Sequence, residues 1–206
     1  MQRVKVVNGA EERAVALLEA LNDYNGTASN GEPSGLAPGL PALIFTNSPA
    51  EADAVAALLQ NGASQHASLS QACVPPVLNG RAVCPAAGLP VAAFHGKVSG
   101  HRGELLDDLQ EGALAALVVT DMAARGLDLP CVRNVVQWRP APSATLHLHR
   151  VGRTGRASAT GPCQASVLVD PVDDDDTAAG ATPLVLRAAS HGWDAVDDFI
   201  DTRRRE

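Results

Sequence analysis

The chain has 206 residues, 46% of them hydrophobic, and a formal net charge of −7. This length fits one domain with insertions, and the four cysteines form no Cys-x-x-Cys pair that would indicate a zinc site. A negative net charge by itself argues against a surface for nucleic acid, because phosphate contacts need clustered Lys and Arg. No apolar run reaches the roughly 18 residues of a membrane-spanning helix, and the first residues lack a secretory signal. We therefore expect a soluble, intracellular protein, whether in cytoplasm, nucleus or an organelle.

Strand and helix patterns alternate through most of the chain. Asn8 and Glu11 have capping-box spacing and predict the start of a first helix. Ser48 followed by Pro49 predicts a second helix start, directly after a short apolar strand at 42–46. The remaining predicted elements, in chain order, are a strand at 91–94, a helix from about Ser99 to Gly112, strands at 114–120 and 132–138, a short helix from Ser143 to about His149, and a strand at 163–169.

Two stretches interrupt this alternation. Residues at about 26–41 and 63–90 are rich in Gly, Pro, Ala and Ser and show no sustained period, so we interpret both as insertions. Beyond an acidic loop at 173–176, the segment at about 182–205 places apolar residues on one face and predicts a helical tail. We predict a single domain over residues 1–206, with its core at about 4–170.

The alternation favours an α/β fold with three layers, in which helices cover both faces of a mostly parallel sheet. In such sheets ligands bind beyond the carboxyl ends of the strands. Three polar pairs follow predicted strands, Thr46-Asn47, His95-Gly96 and Thr120-Asp121. The sequence therefore predicts a ligand site at this edge.

The densest chemical signal is the segment His149–Arg156, with the sequence His-Arg-Val-Gly-Arg-Thr-Gly-Arg. Guanidinium groups match the geometry of phosphate oxygens, and glycines let a backbone approach a ligand closely. Arg153 and Arg156 are three residues apart, so one helical turn would aim both at one target. A solvated basic loop is the alternative interpretation.

A second signal is the segment Val118–Pro130, in which a strand ends and a Gly-containing turn follows. Thr120 offers a hydroxyl and a backbone N–H that suit a phosphate. Asp128 offers a carboxylate that suits ribose hydroxyls. An ordinary βα loop, with Asp128 as a cap, remains the alternative.

Together these segments resemble the C-terminal (second) RecA-like domain of DEAD-box ATP-dependent RNA helicases, in helicase superfamily 2. Val118–Pro130 is similar to motif V, and His149–Arg156 matches motif VI at all eight positions. Ala42–Asn47 with the helix after it is similar to motif IV. The segment from His95-Gly96 to Arg102 resembles the strand, loop and helix that follow in the family.

The resemblance implies ATP as the cofactor. Arg153 and Arg156 would be arginine fingers on its γ-phosphate, and Asp128 and Gly126 would contact the nucleotide. Mg²⁺ would be held by a first domain, and no metal site is expected in this chain.

The resemblance also implies RNA as a partner. Thr120, Gly96 and Arg102 would hold RNA phosphates. His149 and Arg150 would bridge to the acidic box of an N-terminal RecA-like domain, and Phe45 would pack beside the motif VI arginines. The arginines gather between residues 102 and 156, so charge distribution rather than net charge favours a phosphate-binding face.

This sequence departs from the family pattern in three ways. The loop from His95 to Arg102 is one residue short and lacks a Gln found in the family, and Arg139 stands where the family has an Asp. Neither a Gly-x-x-x-x-Gly-Lys-[Ser/Thr] motif nor an Asp-Glu-Ala-Asp box is present. We therefore expect the C-terminal half of an ATP-dependent RNA helicase that is inactive alone. The alternatives are a non-catalytic RNA-binding or scaffolding half-helicase module and a generic nucleotide-binding regulatory domain.

Overall fold

The computed structural model describes residues 2–22, 40–61, 77–78, 81–82, 89–98, 101–155, 163–174 and 193–195. Strands and helices alternate through most of these residues. In chain order they are β1 (Gln2–Val6), α1 (Gly9–Asn22), β2 (Ala42–Thr46), α2 (Pro49–Asn61), β3 (Val77–Leu78), β4 (Arg81–Ala82), β5 (Val91–Phe94), α3 (Arg102–Gln110), β6 (Ala116–Thr120), α4 (Asp121–Ala124), β7 (Asn134–Gln137), α5 (Ala144–Val151), β8 (Gln164–Val169) and β9 (Trp193–Ala195). Among them, no helix is long and apolar enough to cross a membrane.

Seven strands make one sheet in the order β5-β6-β2-β7-β8-β1-β9. The first six run parallel, and β9 pairs antiparallel with β1. Strand β2 lies near the middle, where Ile44 pairs with Val118 of β6 and Val136 of β7. The mostly parallel sheet predicted from the sequence is confirmed.

Alternate side chains of each strand build two cores, one on each face of the sheet. On one face Ile44, Val118 and Val136 pack with the buried residues of α1 and α2. On the other face Phe45 and Val119 pack with residues of α3 and α4. Strands buried on both faces consist of continuous apolar runs, as they must when helices cover both sides. The predicted three-layer α/β architecture is therefore confirmed.

The predicted starts of α1 and α2 are confirmed, and their capping bonds join residues close in sequence. Ser48 Oγ accepts a hydrogen bond from the backbone N–H of Glu51 at 3.2 Å, and Glu51 Oε2 accepts one from the backbone N–H of Asn47 at 2.9 Å. At α1 the glutamate that accepts the Asn8 N–H is Glu12, at 2.9 Å, and not Glu11. These bonds satisfy donors that a helix start would otherwise leave unpaired.

Three predictions about element boundaries need correction, and β1, β3, β4 and the short helix α4 were not predicted. The helix predicted from about Ser99 begins at Arg102. β1 was missed in the sequence, because its polar residues Gln2, Arg3 and Lys5 interrupt the apolar pattern. Residues 193–195 of the predicted helical tail form β9, since the edge of β1 offers them backbone partners. Buried Leu40 and Leu89 extend the core into the predicted insertions. The remaining tail and most of both insertions lie outside the described residues.

His147 ties α5 to the sheet through a defined tautomer. Its Nδ1 accepts a hydrogen bond from the amide Nε2 of Gln137 at 2.9 Å, so its Nε2 carries the proton and donates to Gln2 Oε1 at 3.3 Å. The other end of the Gln137 amide accepts from Arg150 Nη1 at 3.3 Å. Burial, with a smaller contribution from the positive charge of Arg150, lowers the pKa of His147 below its usual 6.5.

We expect His147 to make the folded state sensitive to mild acid. Because its pKa is lower in the folded than in the unfolded chain, the unfolded chain takes up the proton first as pH falls below 6.5. Stability contributed by neutral His147 is therefore complete above that pH, and is lost at up to about 1.4 kcal/mol per pH unit until the folded pKa is passed.

The measurement is the free energy of urea unfolding at several pH values between 7.5 and 5. His147→Asn keeps an acceptor near the Nδ1 position but does not titrate, so its stability should fall less steeply below pH 6.5. Equal slopes for the two proteins in that range would contradict the assignment.

Candidate functional site

The carboxyl ends of the parallel strands bring five polar side chains to one edge of the sheet. Asn47 follows β2, His95 follows β5, and Asp121 follows β6. Arg139 lies just beyond β7, and Asp170 follows β8. Because all these strands point the same way, residues far apart in sequence meet here. The edge of the sheet at which the sequence predicts a site is therefore lined by polar side chains from five strand ends.

Arg150 lies at the centre of this edge and is only 1% exposed. Its Nε and Nη2 donate to the two carboxylate oxygens of Asp121, both at 2.7 Å. The remaining N–H groups donate to Asn47 Oδ1 at 2.7 Å, to the carbonyl of Arg139 at 3.1 Å and to Gln137 Oε1 at 3.3 Å. A guanidinium has five N–H donors, so all five are used within the chain.

This geometry does not fit the bridge to a partner domain that the sequence interpretation assigned to Arg150. All five N–H donors of the buried Arg150 guanidinium bind within the chain, and these bonds connect α5 to the ends of β2, β6 and β7. Arg150 also lies over the ring of Phe45, 5.4 Å from its centre. The predicted contact between Phe45 and a motif VI arginine is therefore present, and Arg150 makes it. His149, the other residue assigned to that bridge, is exposed.

Arg153 leaves the helix and turns toward the opposite loop. Its Nη1 donates to the carbonyl of Leu127 at 3.0 Å, and its Nε donates to the carbonyl of His149 at 3.3 Å. The first bond joins the two segments that the sequence singled out, because Leu127 immediately precedes Asp128. Arg156 lies outside the described residues.

A cleft opens between these two segments. The lining residues are Phe45, Asp121, Ala124, Arg125, Leu146, His149, Arg150 and Arg153. Arg150 is paired with Asp121, which is the carboxylate in this lining, so Arg125 and Arg153 leave the cleft with positive charge that suits an anion.

The glycines near this cleft are required by the conformation and close packing of the backbone. Gly126 and Gly155 have φ of +75° and +69°, which is the left-handed region that favours glycine. A Cβ at Gly152 would lie 3.1 Å from the carbonyl oxygen of Leu148, at the end of α5. Turn geometry therefore explains Gly126 and Gly155, and close approach to the Leu148 carbonyl explains Gly152, whereas the sequence interpretation had assigned the motif glycines to close approach of a ligand. Asp128 is exposed beside Gly126.

The residues assigned to RNA lie around the ends of β5 and β6. Arg102 stacks on the ring of Phe94, 4.3 Å from its centre, and donates to the carbonyls of His95 and Ala123, both at 3.4 Å. These bonds use two of its five donors. Arg102 therefore links the loop after β5 to the loop after β6.

Gly96 and Thr120 complete this group. Gly96 is exposed, and a Cβ there would meet nothing within 4 Å, so the fold itself does not require a glycine at that position. Thr120 is 8% exposed, and its side chain does not cap α4. His95 shapes the adjoining loop, since its Nδ1 accepts from the Lys97 N–H at 3.3 Å and its Nε2 donates to Asp53 at 2.8 Å.

Sequence reasoning missed a buried ionic network beside the Arg150 cluster. Asp174, fully buried in the acidic loop, accepts from Arg13 at 3.0 Å and from Arg139 at 2.6 Å. Arg139 also donates to Glu51 at 2.6 Å. One signal was available, because Arg13 shares the apolar face of α1 with Leu17 and Leu21. A charge on such a face indicates a buried partner.

Asp170 anchors the same network. Burial opposes ionisation of its carboxyl, but hydrogen bonds from the backbone N–H groups of Gly9, Val172 and Asp173, together with the charge of Arg13, lower its pKa below 3.8. The bond from Gly9 is 2.7 Å long and places the carboxylate at the start of α1. Asp170 therefore fixes α1 to the end of β8.

Comparison with known proteins gives one family. Residues 76–158 match the family described as the helicase conserved C-terminal domain. The chain is 31% identical over 161 residues to the pre-mRNA-splicing ATP-dependent RNA helicase PRP28 of Cryptococcus neoformans var. neoformans serotype D (strain JEC21), an alignment that covers 78% of this chain and 17% of that helicase. The chain thus spans less than a fifth of this relative's length.

Solved structures agree in fold. The E. coli DEAD-box protein SrmB, bound to regulator of ribonuclease activity A, superposes with a TM-score of 0.57 at 25% identity, covering 84% of this chain and 79% of that one. Domain 2 of the DEAD-box helicase Mss116p, bound to an RNA duplex, superposes with a TM-score of 0.53 at 23% identity, covering 82% and 54%. By sequence and fold together, the chain carries a match to the helicase conserved C-terminal domain and is similar to the C-terminal RecA-like domains of DEAD-box ATP-dependent RNA helicases.

Proposed function

We propose that this chain is the half of an ATP-dependent RNA helicase that senses ATP and grips RNA. The observation that carries the proposal is the bond from Arg153 Nη1 to the carbonyl of Leu127, 3.0 Å long. It places a guanidinium of the second segment beside Asp128 of the first, at the mouth of an arginine-lined cleft. A solvated basic loop would not need this bond.

The two residues suit different parts of a nucleotide. The carboxylate of Asp128 accepts hydrogen bonds from ribose hydroxyls, and the guanidinium groups of Arg153 and Arg156 neutralise charge on the γ-phosphate. That charge spreads over three oxygens in the transition state of phosphoryl transfer, where planar, multiply donating groups are most effective. Arg150 does not contact the nucleotide in this scheme. It holds in place the helix and the loop that carry the contacting groups.

This sequence contains no phosphate-binding loop, so we propose that an N-terminal RecA-like domain completes the site. That domain would supply the phosphate loop, the general base and Mg²⁺, which neutralises the phosphate oxygens when bound. Exposed His149, on the last turn of α5, is the residue we assign to contact with that domain. Closure of the two domains on ATP would bring Arg153 to the γ-phosphate, and product release would reopen them.

RNA would be held by its backbone. Arg102 provides a fixed positive charge, exposed Gly96 lets a phosphate approach the loop, and Thr120 ends β6, which pairs with β5. These groups carry phosphate contacts and no base-reading side chain, so binding should tolerate any sequence. The structure of domain 2 of Mss116p with an RNA duplex supports the choice of a duplex as the probe.

We expect the isolated chain to bind an RNA duplex weakly and with strong salt dependence. Each phosphate contact that is lost should lower the slope of log K against log salt by about one. Arg102→Gln should weaken binding and reduce that slope, as measured by fluorescence anisotropy of a labelled duplex from 50 to 200 mM salt.

The matched control is Arg133→Gln. Arg133 lies just before β7, at the opposite edge of the sheet, so its loss should leave the slope unchanged. A preference for one base sequence, or equal effects of the two variants, would contradict the assignment of Arg102.

We expect Arg153→Lys to lower kcat for ATP hydrolysis at least a hundredfold when the chain is joined to a RecA-like domain carrying a phosphate loop. Arginine fingers contribute about 10³–10⁵ in rate, which is roughly 4–7 kcal/mol of activation barrier. Exposed ion pairs contribute only about 0–1 kcal/mol to stability. Lysine keeps the charge but loses the planar fork. The measurement is steady-state ATPase with saturating RNA, with melting temperature as the check on folding.

The isolated chain is the blank, since it lacks the phosphate loop, and Arg133→Lys is the matched control. A kcat within about threefold of the parent would exclude the finger and leave the alternative of a non-catalytic RNA-binding or scaffolding module. Robust ATP hydrolysis by the isolated chain would contradict the two-domain scheme.

A further inference from the structure

Arg139 is the residue at which this chain departs most clearly from the family pattern, and its side chain points away from the cleft. The backbone carbonyl of Arg139 accepts a hydrogen bond from Arg150 Nη1 at 3.1 Å. The guanidinium of Arg139 turns the other way, with Nε on Glu51 Oε1 and Nη1 on Asp174 Oδ1, both at 2.6 Å. Its side chain is about a quarter exposed.

These bonds close a ring around Arg150. Glu51 uses its second oxygen, Oε2, to accept the backbone N–H of Asn47 at 2.9 Å. Asn47 in turn accepts from Arg150 Nη2 through Oδ1 at 2.7 Å and donates through Nδ2 to the carbonyl of Pro140 at 3.2 Å. Arg150, Arg139, Glu51 and Asn47 therefore each contact the next, and the last contacts the first. The side chain of Arg139 is the member that spans from the loop after β7 to α2.

The ring is anchored from outside by Asp174. One oxygen of Asp174 accepts from Arg139 at 2.6 Å, and the other accepts from Arg13 at 3.0 Å and from the backbone N–H of Asp170 at 2.7 Å. A fully buried carboxylate with donors on both oxygens has little freedom to move. Through these bonds Asp174 connects the Arg139 side chain to α1 and to the end of β8.

We propose that Arg139 is a positioning residue for Arg150, and that Glu51 and Asp174 act as its two fixed anchors. In this arrangement the strap Glu51–Arg139–Asp174 holds the loop after β7 so that its carbonyl meets Arg150. Arg150 in turn holds Asp121, and through it α4 and the turn at Gly126. The proposal rests on the proposed function only for its effect on ATP hydrolysis, since the positioning itself is a property of the folded chain.

The first experiment follows the Arg150 Nε–H directly, by ¹H–¹⁵N NMR of the isolated chain, with the signal assigned by its loss in Arg150→Lys. In Arg139→Gln we expect that signal to shift and its exchange with water to rise at least tenfold, while backbone amides of β6 and β2 keep their protection. Arg139→Lys, which restores the charge and reaches one anchor, should recover part of the loss. A role in overall stability alone would raise the exchange of all buried groups together.

Glu51→Gln breaks the strap from its other end and serves where Arg139→Gln folds poorly. It should shift the same Arg150 signal in the same direction. Arg133→Gln is the control and should leave the signal in place. An Arg150 Nε–H with unchanged shift and exchange in both Arg139→Gln and Glu51→Gln would overturn the proposal.

The second experiment measures ATP hydrolysis by the two-domain protein. We expect Arg139→Gln to lower kcat about tenfold with partial rescue by Arg139→Lys, at temperatures where both are folded. If Arg153→Lys lowers kcat but Arg139→Gln does not, the functional effect assigned to Arg139 is wrong. If Arg153→Lys has no effect, the proposed function fails, and the NMR result alone decides whether Arg139 positions Arg150.

Discussion

The site depends on one buried guanidinium, that of Arg150. A positive charge taken out of water is tolerated when a carboxylate neutralises it and every N–H has an acceptor. Asp121 provides the carboxylate, and the ends of β2 and β7 provide the remaining oxygens. Removing one partner of such a pair typically costs about 3–5 kcal/mol. Three strands must therefore be in register before Arg150 can be buried, which makes the site a consequence of the assembled sheet.

The arginines of the segment His149–Arg156 have different environments because α5 ends at Val151, inside this segment. Arg150 lies on the last turn and points into the protein, whereas the chain turns at Gly152 and directs Arg153 to Leu127 on the far side of the cleft. A continued helix would have kept both side chains on one face. A single short segment thus completes the core and also lines the cleft. Because Arg150 is held rigidly, Arg153 also has a fixed position.

Several acidic side chains of this protein are paired with arginines in its interior. The net charge of −7 is a property of the whole sequence, but several acids are consumed in pairs beneath the surface. Asp174 is buried between Arg13 and Arg139, and partly exposed Asp121 is paired with Arg150. Because paired charges contribute little field outside the protein, Arg102 and Arg153, which donate to backbone carbonyls at this edge of the sheet, favour an anion there. An acidic protein can therefore present a cationic cleft.

The sequence by itself determined the α/β architecture, the interior strands other than β1, and the starts of α1, α2 and α5, because these follow from apolar runs and from caps such as Ser48 that act within a few residues. It also located the cleft, since strand ends share an edge. The destinations of Arg13, Arg139 and Arg150 were decided by the tertiary structure alone. Their partners lie up to 161 residues away, and no local pattern specifies such a pairing. Strands β1 and β9 depend likewise on neighbours that are distant in sequence, because backbone pairing, rather than an apolar run, makes them strands.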